Sequence, residues 1–393
     1  MKTYDWIVIG GGITGAALSY ELAIKGFTVL LLEQHTPLQG ATRYSYGGLS
    51  YWAGSTNLTC QLCAEGKERH RHLSAELGSP TQFRELDLVL TIARNQDPEI
   101  VAQSYSHCAS PPQLVSVEQA CALEPLLNPE AIAAALTVRH GHIAPGLTTQ
   151  AYWQAFIRVG GVIQIESVNG LLRQGDRIQG VTTPTQTHHA ANVVVCVGGL
   201  SRALLQSTGI HVRVYFTHAE LLETPPINLR LQSLVMPAVT ERFELEAKAG
   251  SDENEPLWNE SGQEIVPPIL DNGAIQFMDG SIRIGQISRV LSDLKAQIDP
   301  AQSEAQIRAS IGNVLPALQD LPAAWHSCLV AFSGDRLPLI GAVPDVAGVH
   351  LFSGFSNPLT IVPPLAQRFA NHVAGDNDPI IAQLSPTRFI KIP

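Results

Sequence analysis

The stretch that decides the fold is YDWIVIGGGITGAALSYELAIKGFTVLLLE, which runs from Tyr4 to Glu33. A short apolar run, Ile7 to Ile9, predicts a buried β-strand, and the apolar residues after Gly15 recur at the spacing of a helix. Gly26 stands where such a helix ends, and Thr28 to Leu32 predict a second strand. The pattern therefore predicts one β-α-β unit of a parallel sheet.

Three glycines between the first strand and the helix, Gly10, Gly12 and Gly15, complete a G-x-G-x-x-G pattern. The first permits a tight turn, the second lets backbone approach a pyrophosphate, and the third lets the helix pack on the strand. The helix N-terminus offers N–H groups and partial positive charge to phosphates. Glu33 can accept hydrogen bonds from ribose hydroxyls, which favours FAD or NAD over NADP. The unit predicts a dinucleotide site, with an ordinary glycine-rich turn as the alternative.

The composition is that of a globular chain. The 393 residues are 45% hydrophobic and 15% charged, with a formal net charge of -10. This length favours two or three domains. A negative chain without a block of Lys and Arg argues against a nucleic-acid partner. Asp5, Glu21 and Lys25 interrupt the first apolar run, and no other run is long enough to span a membrane. We therefore expect no membrane span and a cytoplasmic location.

The cysteines and histidines give little indication of a metal site. The six cysteines are spread along the chain, which is not a disulfide framework. Cys60 and Cys63 make a lone C-x-x-C, for which buried small residues on one helix face are favoured over metal or redox chemistry. His140 and His142, and a His pair in a polar hairpin at 188–189, are of ligand type. We assign no metal to any of them.

Two later segments extend the nucleotide-binding pattern. From Gly160 the sequence predicts a strand, a hairpin and then an apolar strand, Val193 to Val197, that ends in Gly198 and Gly199. A strand followed by a glycine pair is a second backbone approach to a ligand at the carboxyl end of a sheet. The C-terminal GVHLFSGFSNPLTIVPPLAQRFA supplies a third separated part of the same domain.

In this order the segments resemble the FAD-dependent D-amino-acid oxidase-like family, and within it the glycine oxidase and monomeric sarcosine oxidase branch. The resemblance runs nearly end to end and rests on the glycine fingerprint, GATRYSYGGLS, GHIAPGLTTQAYWQAF, VVVCVGG, GSIRIGQ and SGDRLPLIGAVPDVAGVHLFSGFS. It implies an α/β fold. A discontinuous Rossmann-like FAD-binding domain would comprise residues 1–80, 143–210 and 326–393. A second, mixed-sheet α+β substrate domain would comprise residues 81–142 and 211–325.

The resemblance also implies which residues surround FAD. They are Gly10, Gly12, Ile13, Thr14, Gly15, Glu33, Gln34, Thr42, Arg43, Ser45, Gly47, Gly48, Leu49, Val168, Val197, Gly198, Gly199, Cys328, Asp335, Gly354, Phe355, Ser356, Asn357 and Thr360. The acidic segment ERFELEAKAGSDENEPLWNESGQE, Glu241 to Glu264, is expected to be a solvated loop or an irregular excursion near the pocket.

Cys328 poses a separate question. In monomeric sarcosine oxidase a cysteine thioether holds the flavin through its 8α carbon. Cys328 precedes Asp335 by seven residues, as that cysteine precedes an acid. Attachment needs an ionised thiol in an electropositive site. The two interpretations are covalent FAD through Cys328 and a small buried cysteine in the core.

The implied reaction is oxidation of a carbon next to an amine nitrogen. Hydride passes to flavin N5, an imine forms, and O₂ is the expected acceptor of the electrons. Arg283 falls where sarcosine oxidase has a Lys that helps O₂ react, and Arg43 matches an Arg beside the flavin, so both are the predicted catalytic residues. The alternatives are a dehydrogenase that passes electrons to a quinone or protein, and an inactive FAD-binding protein.

The sequence departs from the branch at the cations that bind a substrate carboxylate. Other residues replace them, namely Tyr46, Val330, Asn357 and Ile361. A buried carboxylate needs a partner. Either another arginine takes the role, for which the candidates are Arg213, Arg242, Arg289 and Arg336, or the substrate is a less polar or bulkier amine.

Overall fold

The structure is a computed structural model, and it describes residues 3–239 and 241–389. Seventeen strands occur in the described residues, in the order β1 (Thr3–Ile9), β2 (Val29–Glu33), β3 (Gly48–Leu49), β4 (Arg84–Ala93), β5 (Gln113–Val115), β6 (Ile132–His142), β7 (Val162–Ile165), β8 (Gly170–Gln174), β9 (Arg177–Thr182), β10 (Thr187–Val195), β11 (Val214–Glu223), β12 (Leu234–Pro237), β13 (Glu264–Gln276), β14 (Ile282–Leu291), β15 (Ala324–Ser333), β16 (Leu339–Ala342) and β17 (Val349–Ser353).

Eleven α-helices occur in the same residues. They are α1 (Ile13–Ile24), α2 (Ala41–Tyr44), α3 (Asn57–Glu76), α4 (Pro98–Ser104), α5 (Val117–Leu123), α6 (Pro145–Arg158), α7 (Ser201–Gln206), α8 (Glu241–Ala249), α9 (Pro300–Val314), α10 (Pro358–Val373) and α11 (Pro379–Gln383). Short 3₁₀ turns lie at Gly198–Leu200, Glu255–Asn259, Pro316–Leu318 and Pro386–Phe389.

The first sheet has eight strands and is built around β1. Its order is β16-β17-β10-β1-β2-β7, and β9 adds to β10 with β8 beside it. The five strands from β17 to β7 are parallel to one another, whereas β16 and the β8–β9 hairpin are antiparallel. The predicted β-α-β unit is β1, α1 and β2. The centre of this sheet is buried and apolar, with all of β2 and the last four residues of β1 buried, because helices or a hairpin cover both faces.

Side chains of β1 alternate between two cores. Val8 packs with Ala16, Leu18 and Leu22 of α1. Ile7 and Ile9 point to the other face, where α7 and the β8–β9 hairpin cover the sheet. Alternation with a period of two is the rule for a strand, and here each side meets a separate layer.

The second sheet has nine strands, in the order β15-β11-β14-β13-β12-β4-β6-β3, with β5 beside β6. Its pairs are antiparallel except β12 with β4. Ile307 and Ile311 of α9 pack on Ile284 and Ile287 of β14. The mixed second sheet beside a Rossmann-like first sheet confirms the predicted fold class.

The sheets do not divide at the predicted domain limits. β15 crosses the limit at residue 326 and pairs along its length with β11, so it belongs to the second sheet. β3, within residues 1–80, pairs with β6 of the second sheet. The second sheet therefore includes two strands from the ranges predicted for the FAD-binding domain, β3 and most of β15. The division into two domains stays a prediction.

Candidate functional site

The glycine turn after β1 is closed so tightly that side chains would not fit. Gly10 has φ +95°, and a Cβ there would lie 2.7 Å from the carbonyl oxygen of Cys196. A Cβ on Gly15 would overlap the carbonyl oxygen of Gly10. A Cβ on Gly12 would meet Thr42 Oγ1 at 3.1 Å, so this glycine is the one with space in front of it. The arrangement brings the N-terminus of α1 against the carboxyl ends of β1 and β10.

Glu33 at the end of β2 holds this turn. Its Oε2 accepts the Gly11 N–H at 2.6 Å, and its Oε1 accepts the His35 N–H at 2.9 Å. Trp153 of α6 donates its indole N–H to the Gly11 carbonyl at 2.9 Å. The carboxylate was predicted to face a ribose. In the structure it lines the cavity described next while also fixing the backbone of the turn.

A cavity of about 560 Å³ opens in front of the turn. The predicted FAD-binding residues that line it are Gly10, Gly12, Thr14, Glu33, Gln34, Thr42, Val168, Val197, Gly198, Gly199 and Cys328. These residues come from separate parts of the chain, as expected at the carboxyl edge of a parallel sheet. The side chain of Thr42 helps to shape the entrance, because its Oγ1 accepts the Ile13 N–H at 3.1 Å.

A second cavity of about 360 Å³ continues between the two sheets. Thr14, Thr42, Gly198 and Cys328 line both cavities, so the two are adjoining chambers. Further predicted residues that line the second are Ile13, Ser45, Gly48, Gly354, Phe355, Ser356 and Asn357. One chamber faces a helix N-terminus and the other is largely enclosed by apolar and backbone groups. An elongated dinucleotide with a ring system at one end fits this shape.

Other predicted residues lie behind the cavity walls. Gly15 packs on Gly10, and Leu49 is fully buried in the core. Gly47 lies against His142 and the Ile143 carbonyl. Thr360 packs its backbone against Gly66 of α3.

Asp335 is paired with Arg388. The two side chains form hydrogen bonds of 2.7 and 3.0 Å, and Asp335 also accepts from Ser333 and from the Leu337 N–H. This pairing holds the pKa of Asp335 below its usual value although burial raises it. The acid therefore fastens the segment between β15 and β16 to the C-terminal region.

Both predicted catalytic arginines are engaged with protein groups. Arg43 forms two 2.8 Å hydrogen bonds with the Glu223 carboxylate. Arg283 donates to the carbonyl oxygens of Arg43, at 2.7 Å, and of Ser45. Its guanidinium also lies 4.4 Å from the centre of the Phe277 ring. Neither arginine is among the residues that line the two cavities.

Cys328 of β15 lies at the junction of the chambers. Burial raises the pKa of its thiol to about 12, although the charge of Arg283 acts in the opposite direction. The residue is half-buried by surface area, and its open side is the cavity wall. It lies where a cavity occupant would contact it, but its thiol is protonated at neutral pH before an occupant arrives.

The structure adds Phe243 and Glu246, which the sequence did not single out, and separates Arg242 from the other candidate arginines. The segment expected to be a solvated loop instead begins with α8, and Arg242, Phe243 and Glu246 of this helix line the second cavity. The interpretation of Glu241–Ala249 as a loop was wrong, because it relied on the acidic composition of the segment and did not consider the helix propensity of its residues. Glu, Leu, Ala and Lys, which make up most of α8, are all good helix formers, and this signal could have located the helix.

The charges beside this cavity are closely balanced. Glu246 is buried, accepts from Thr217 Oγ1 at 3.1 Å and lies 4.0 Å from Arg242 Nε. Burial raises the pKa of Glu246, and the charge of Arg242 partly offsets this. Burial likewise raises the pKa of the neighbouring Asp271. Two guanidinium groups lie over the Phe243 ring, with Arg242 at 4.9 Å and Arg336 at 5.0 Å from the ring centre.

The two histidines of β6 are neutral. Burial lowers the pKa of both His140 and His142 to about 3. Trp52 donates to His140 Nδ1 at 3.0 Å, and Arg84 donates to His142 Nδ1 at 3.4 Å. Within residues 3–239 and 241–389, no group of three or more His, Cys, Asp or Glu side chains is placed to hold a metal ion. In the same part of the chain, no helix is both long and apolar enough to cross a bilayer.

The chain is similar to known oxidoreductases. It is 26% identical over 390 residues to glycine oxidase of Pseudomonas aeruginosa, which covers 95% of this chain and 96% of that protein. It is 27% identical over 234 residues to one subunit of the anaerobic glycerol-3-phosphate dehydrogenase of Escherichia coli (strain K12), covering 56% of this chain and 42% of that polypeptide. The chain thus spans less than half the length of this dehydrogenase polypeptide.

The fold has close counterparts among solved structures. The crystal structure of glycine oxidase from Geobacillus kaustophilus superposes over 100% of both chains with a TM-score of 0.79, at 19% sequence identity. A family model described as FAD dependent oxidoreductase, DAO, matches residues 5–372. Since this match spans nearly the whole chain and includes the glycine turn, Glu33 and both chambers, the chain belongs to the DAO family of FAD-dependent oxidoreductases.

Proposed function

We propose that this oxidoreductase oxidises the C–N bond of an amino acid or a related amine to an imine, with O₂ as the final electron acceptor. When bound, FAD supplies the hydride acceptor, and the residues of the chain bind and orient the partners. The observation that carries the proposal is the position of Arg242 and Glu246. Among the described residues that line the second cavity, these two carry the charges.

Arg242 is the arginine best placed to bind a substrate carboxylate. Arg213 is paired with Asp252 at 2.6 Å, and Arg289 is paired with Glu220 at 2.8 Å. Arg242 has Glu246 as its acid partner at a long 4.0 Å and lines the cavity. A guanidinium binds a carboxylate in two-point geometry, which a loosely paired arginine can still offer.

Glu246 complements the other end of an amino acid. Its carboxyl lies in the same cavity, so an ammonium group can face it while the carboxylate of the same molecule faces Arg242. Because burial raises the pKa of Glu246, this carboxyl can also hold a proton that leaves the ammonium group. An amine that has lost this proton has the free lone pair that imine formation needs.

A phosphorylated substrate fits this cavity poorly. A phosphate ester carries close to two negative charges and is usually met by several cations or by a helix N-terminus. The charged lining of the second cavity is instead one arginine and one acid among the described residues. The glycerol-3-phosphate chemistry named for the E. coli relative is therefore not our proposal for this chain.

A dehydrogenase is the second candidate for the electron-accepting half of the reaction. The observation that favours it is Arg283, which was predicted to assist O₂ but is bonded to backbone carbonyls away from the cavity lining. Mixing the reduced protein with air-saturated buffer in a stopped-flow instrument separates the two. Fast return of the yellow flavin absorbance supports the oxidase, and slow return that a quinone accelerates supports the dehydrogenase.

The substrate half is tested by anaerobic reduction. FAD-loaded protein is mixed with glycine, sarcosine, other D- and L-amino acids and simple amines, and loss of the flavin absorbance is followed. We expect an amino acid to reduce the flavin and its amide, which lacks the carboxylate, to do so far less well. Equal reduction by the acid and the amide would remove the carboxylate role of Arg242.

A further inference from the structure

His140 of β6 is a buried side chain that none of the roles above uses. It is 5% exposed and lines the second cavity. Polar side chains this deeply buried are nearly always hydrogen-bonded at each polar atom. Which of its two ring nitrogens is satisfied therefore indicates what the residue does.

The contact with Trp52 fixes the tautomer. The indole Nε1 of Trp52 lies 3.0 Å from His140 Nδ1. An indole N–H can only donate, so Nδ1 must be the acceptor. A protonated imidazole has no acceptor nitrogen, which excludes the cation. The ring is neutral and carries its hydrogen on Nε2, in agreement with a pKa lowered by burial to about 3.

The Nε2–H has no hydrogen-bond partner within the described protein. His142, two residues on, makes the contrast, because its Nδ1 faces Arg84 and its Nε2 lies 3.0 Å from the Tyr46 carbonyl. Leaving a buried donor unpaired is costly, so a folded protein seldom does it without a ligand.

Gly48 keeps this donor uncovered. A Cβ on Gly48 would lie 2.7 Å from His140 Nε2. The glycine belongs to the segment that resembles the flavin-binding segment of the family, and it also lines the second cavity. Because Gly48 has no side chain, there is space next to the unpaired His140 Nε2–H for an acceptor from outside the protein.

We propose that His140 donates its Nε2–H to an oxygen or nitrogen acceptor of the flavin ring system, and that Trp52 positions it by holding the tautomer. This inference rests on the proposed function, with the ring system of FAD in the second cavity. A neutral donor suits this place because it adds no net charge to a closely balanced cavity. It also stabilises electron density that builds up on the ring when the flavin is reduced.

Three variants test the proposal, with FAD itself as the probe. His140→Phe removes the donor but leaves Trp52 unpaired. Trp52→Phe leaves the imidazole free to change tautomer. The double variant W52F/H140F removes both polar groups, so it is the control for packing and stability. Each is made, with its parent, in the Cys328→Ala background, from which FAD is expected to be released, and is then stripped of FAD and titrated with FAD. The flavin midpoint potential, the sarcosine affinity of the FAD-loaded protein and the unfolding temperature without FAD are measured.

We expect His140→Phe and the double variant both to raise the dissociation constant of FAD about tenfold and to lower the midpoint potential. The double variant should unfold at or above the wild-type temperature without FAD. Trp52→Phe should weaken FAD binding less, and NMR of ¹⁵N-labelled histidine should show the neutral Nε2–H form of His140 in wild type but a mixture in this variant.

Three results would overturn the inference. Wild-type affinity and potential in the double variant would make His140 a core residue only. Unchanged FAD binding with weaker sarcosine binding would place the acceptor on the substrate instead of the flavin. Wild-type protein that binds no FAD would overturn the proposed function as well, whereas the first two results leave that function standing.

Discussion

Arg43 and Glu223 form a two-point ion pair, with both guanidinium-to-carboxylate distances at 2.8 Å. The pair joins α2, which follows the glycine turn, to β11 of the second sheet. Arg283 stands behind it, 3.7 Å from the same carboxylate, and donates to the Arg43 carbonyl. The arginines predicted to act on the flavin thus also connect the two sheets around the cavity.

Arg43→Ala should lower the free energy of unfolding by about 1 kcal/mol at pH 7, a modest loss because the Arg43 side chain is 37% exposed. Burial would raise the pKa of Glu223, but Arg43 and Arg283 hold it below the ordinary value of 4.5. A depressed carboxyl pKa adds stability above pH 4.5 that is lost as pH falls through the folded value. Chemical denaturation from pH 3 to 7 should show less of this loss in Arg43→Ala than in wild type.

Arg43→Lys is the matched variant for this pair. It keeps the charge and loses the two-point geometry, so its stability should lie between those of wild type and Arg43→Ala. Identical pH profiles for all three proteins would mean that the ion pair adds nothing.

The glycines of the turn should separate folding from cofactor binding. Gly15→Ala puts a methyl group into the Gly10 carbonyl and should cost several kcal/mol or prevent folding. Gly12→Ala faces the cavity, where Thr42 Oγ1 at 3.1 Å can shift, so it should fold and bind FAD at least about tenfold more weakly. Thermal unfolding and FAD titration measure the two effects.

Gly146→Ala is the control for these variants. A Cβ there has no atom within 4 Å, and in α6 alanine should stabilise by about 0.5–1 kcal/mol. FAD binding of wild-type strength in Gly12→Ala would show that no phosphate approaches that glycine.

Covalent attachment of FAD through Cys328 stays a prediction, and acid precipitation tests it. Yellow colour should remain in the pellet of wild type and move to the supernatant in Cys328→Ala. Because burial raises the thiol pKa to about 12, the thiolate fraction, and with it the rate of attachment, should rise about tenfold per pH unit between pH 7 and 9. Wild-type protein produced without flavin and then mixed with FAD gives this rate.

Cys196→Ala is the matched control, since Cys196 also lines the first cavity. This variant should keep the colour in the pellet. Colour in the wild-type supernatant at every pH would leave Cys328 as a packing residue beside the flavin.

Ionisation of the buried Glu246 carboxyl should lower the free energy of unfolding. Its pKa is raised above the ordinary value of 4.5, so the folded state binds the proton more tightly than the unfolded state does. Stability from this group is therefore full below pH 4.5 and falls as pH rises through the raised folded value. Glu246→Gln should become more stable than wild type across this window, because its amide stays neutral at every pH.

Urea unfolding of protein without FAD at several pH values measures this difference. Glu130→Gln, a substitution on the exposed surface, should change stability by less than about 0.5 kcal/mol and serves as the control. If Glu246→Gln became less stable than wild type as pH rises, the ion pair with Arg242 would be stabilising the Glu246 carboxylate. Arg242 would then not be free to bind a substrate carboxylate.

The sequence predicted the fold well where short-range patterns decide it. The glycine turn, the helix behind it and Glu33 each follow from local spacing, and their segment order carries the family resemblance. The course of β15 was harder to foresee, because pairing with β11 depends on contacts distant in sequence. Residues that lie behind the cavity wall, such as Leu49, cannot be distinguished from residues that line the cavity until their tertiary packing is known.

The candidate site shows the same division. Arg242 was one of four arginines that the sequence left open, and it is the one of these four that lines the second cavity. The tautomer of His140 depends on Trp52, which lies 88 positions away in the sequence. Such pairings form only in the tertiary fold, so no local sequence pattern predicts them.

The central claim is that Arg242 binds the carboxylate of an amino acid that reduces the flavin, and one anaerobic titration tests it most directly. FAD-loaded wild type, Arg242→Gln and Arg213→Gln are titrated with the same amino acids. We predict loss of the yellow absorbance in all three, with Arg242→Gln alone needing at least about tenfold more amino acid. Flavin that no amino acid or amine reduces in wild type, or an Arg242→Gln variant that matches Arg213→Gln, would contradict the account.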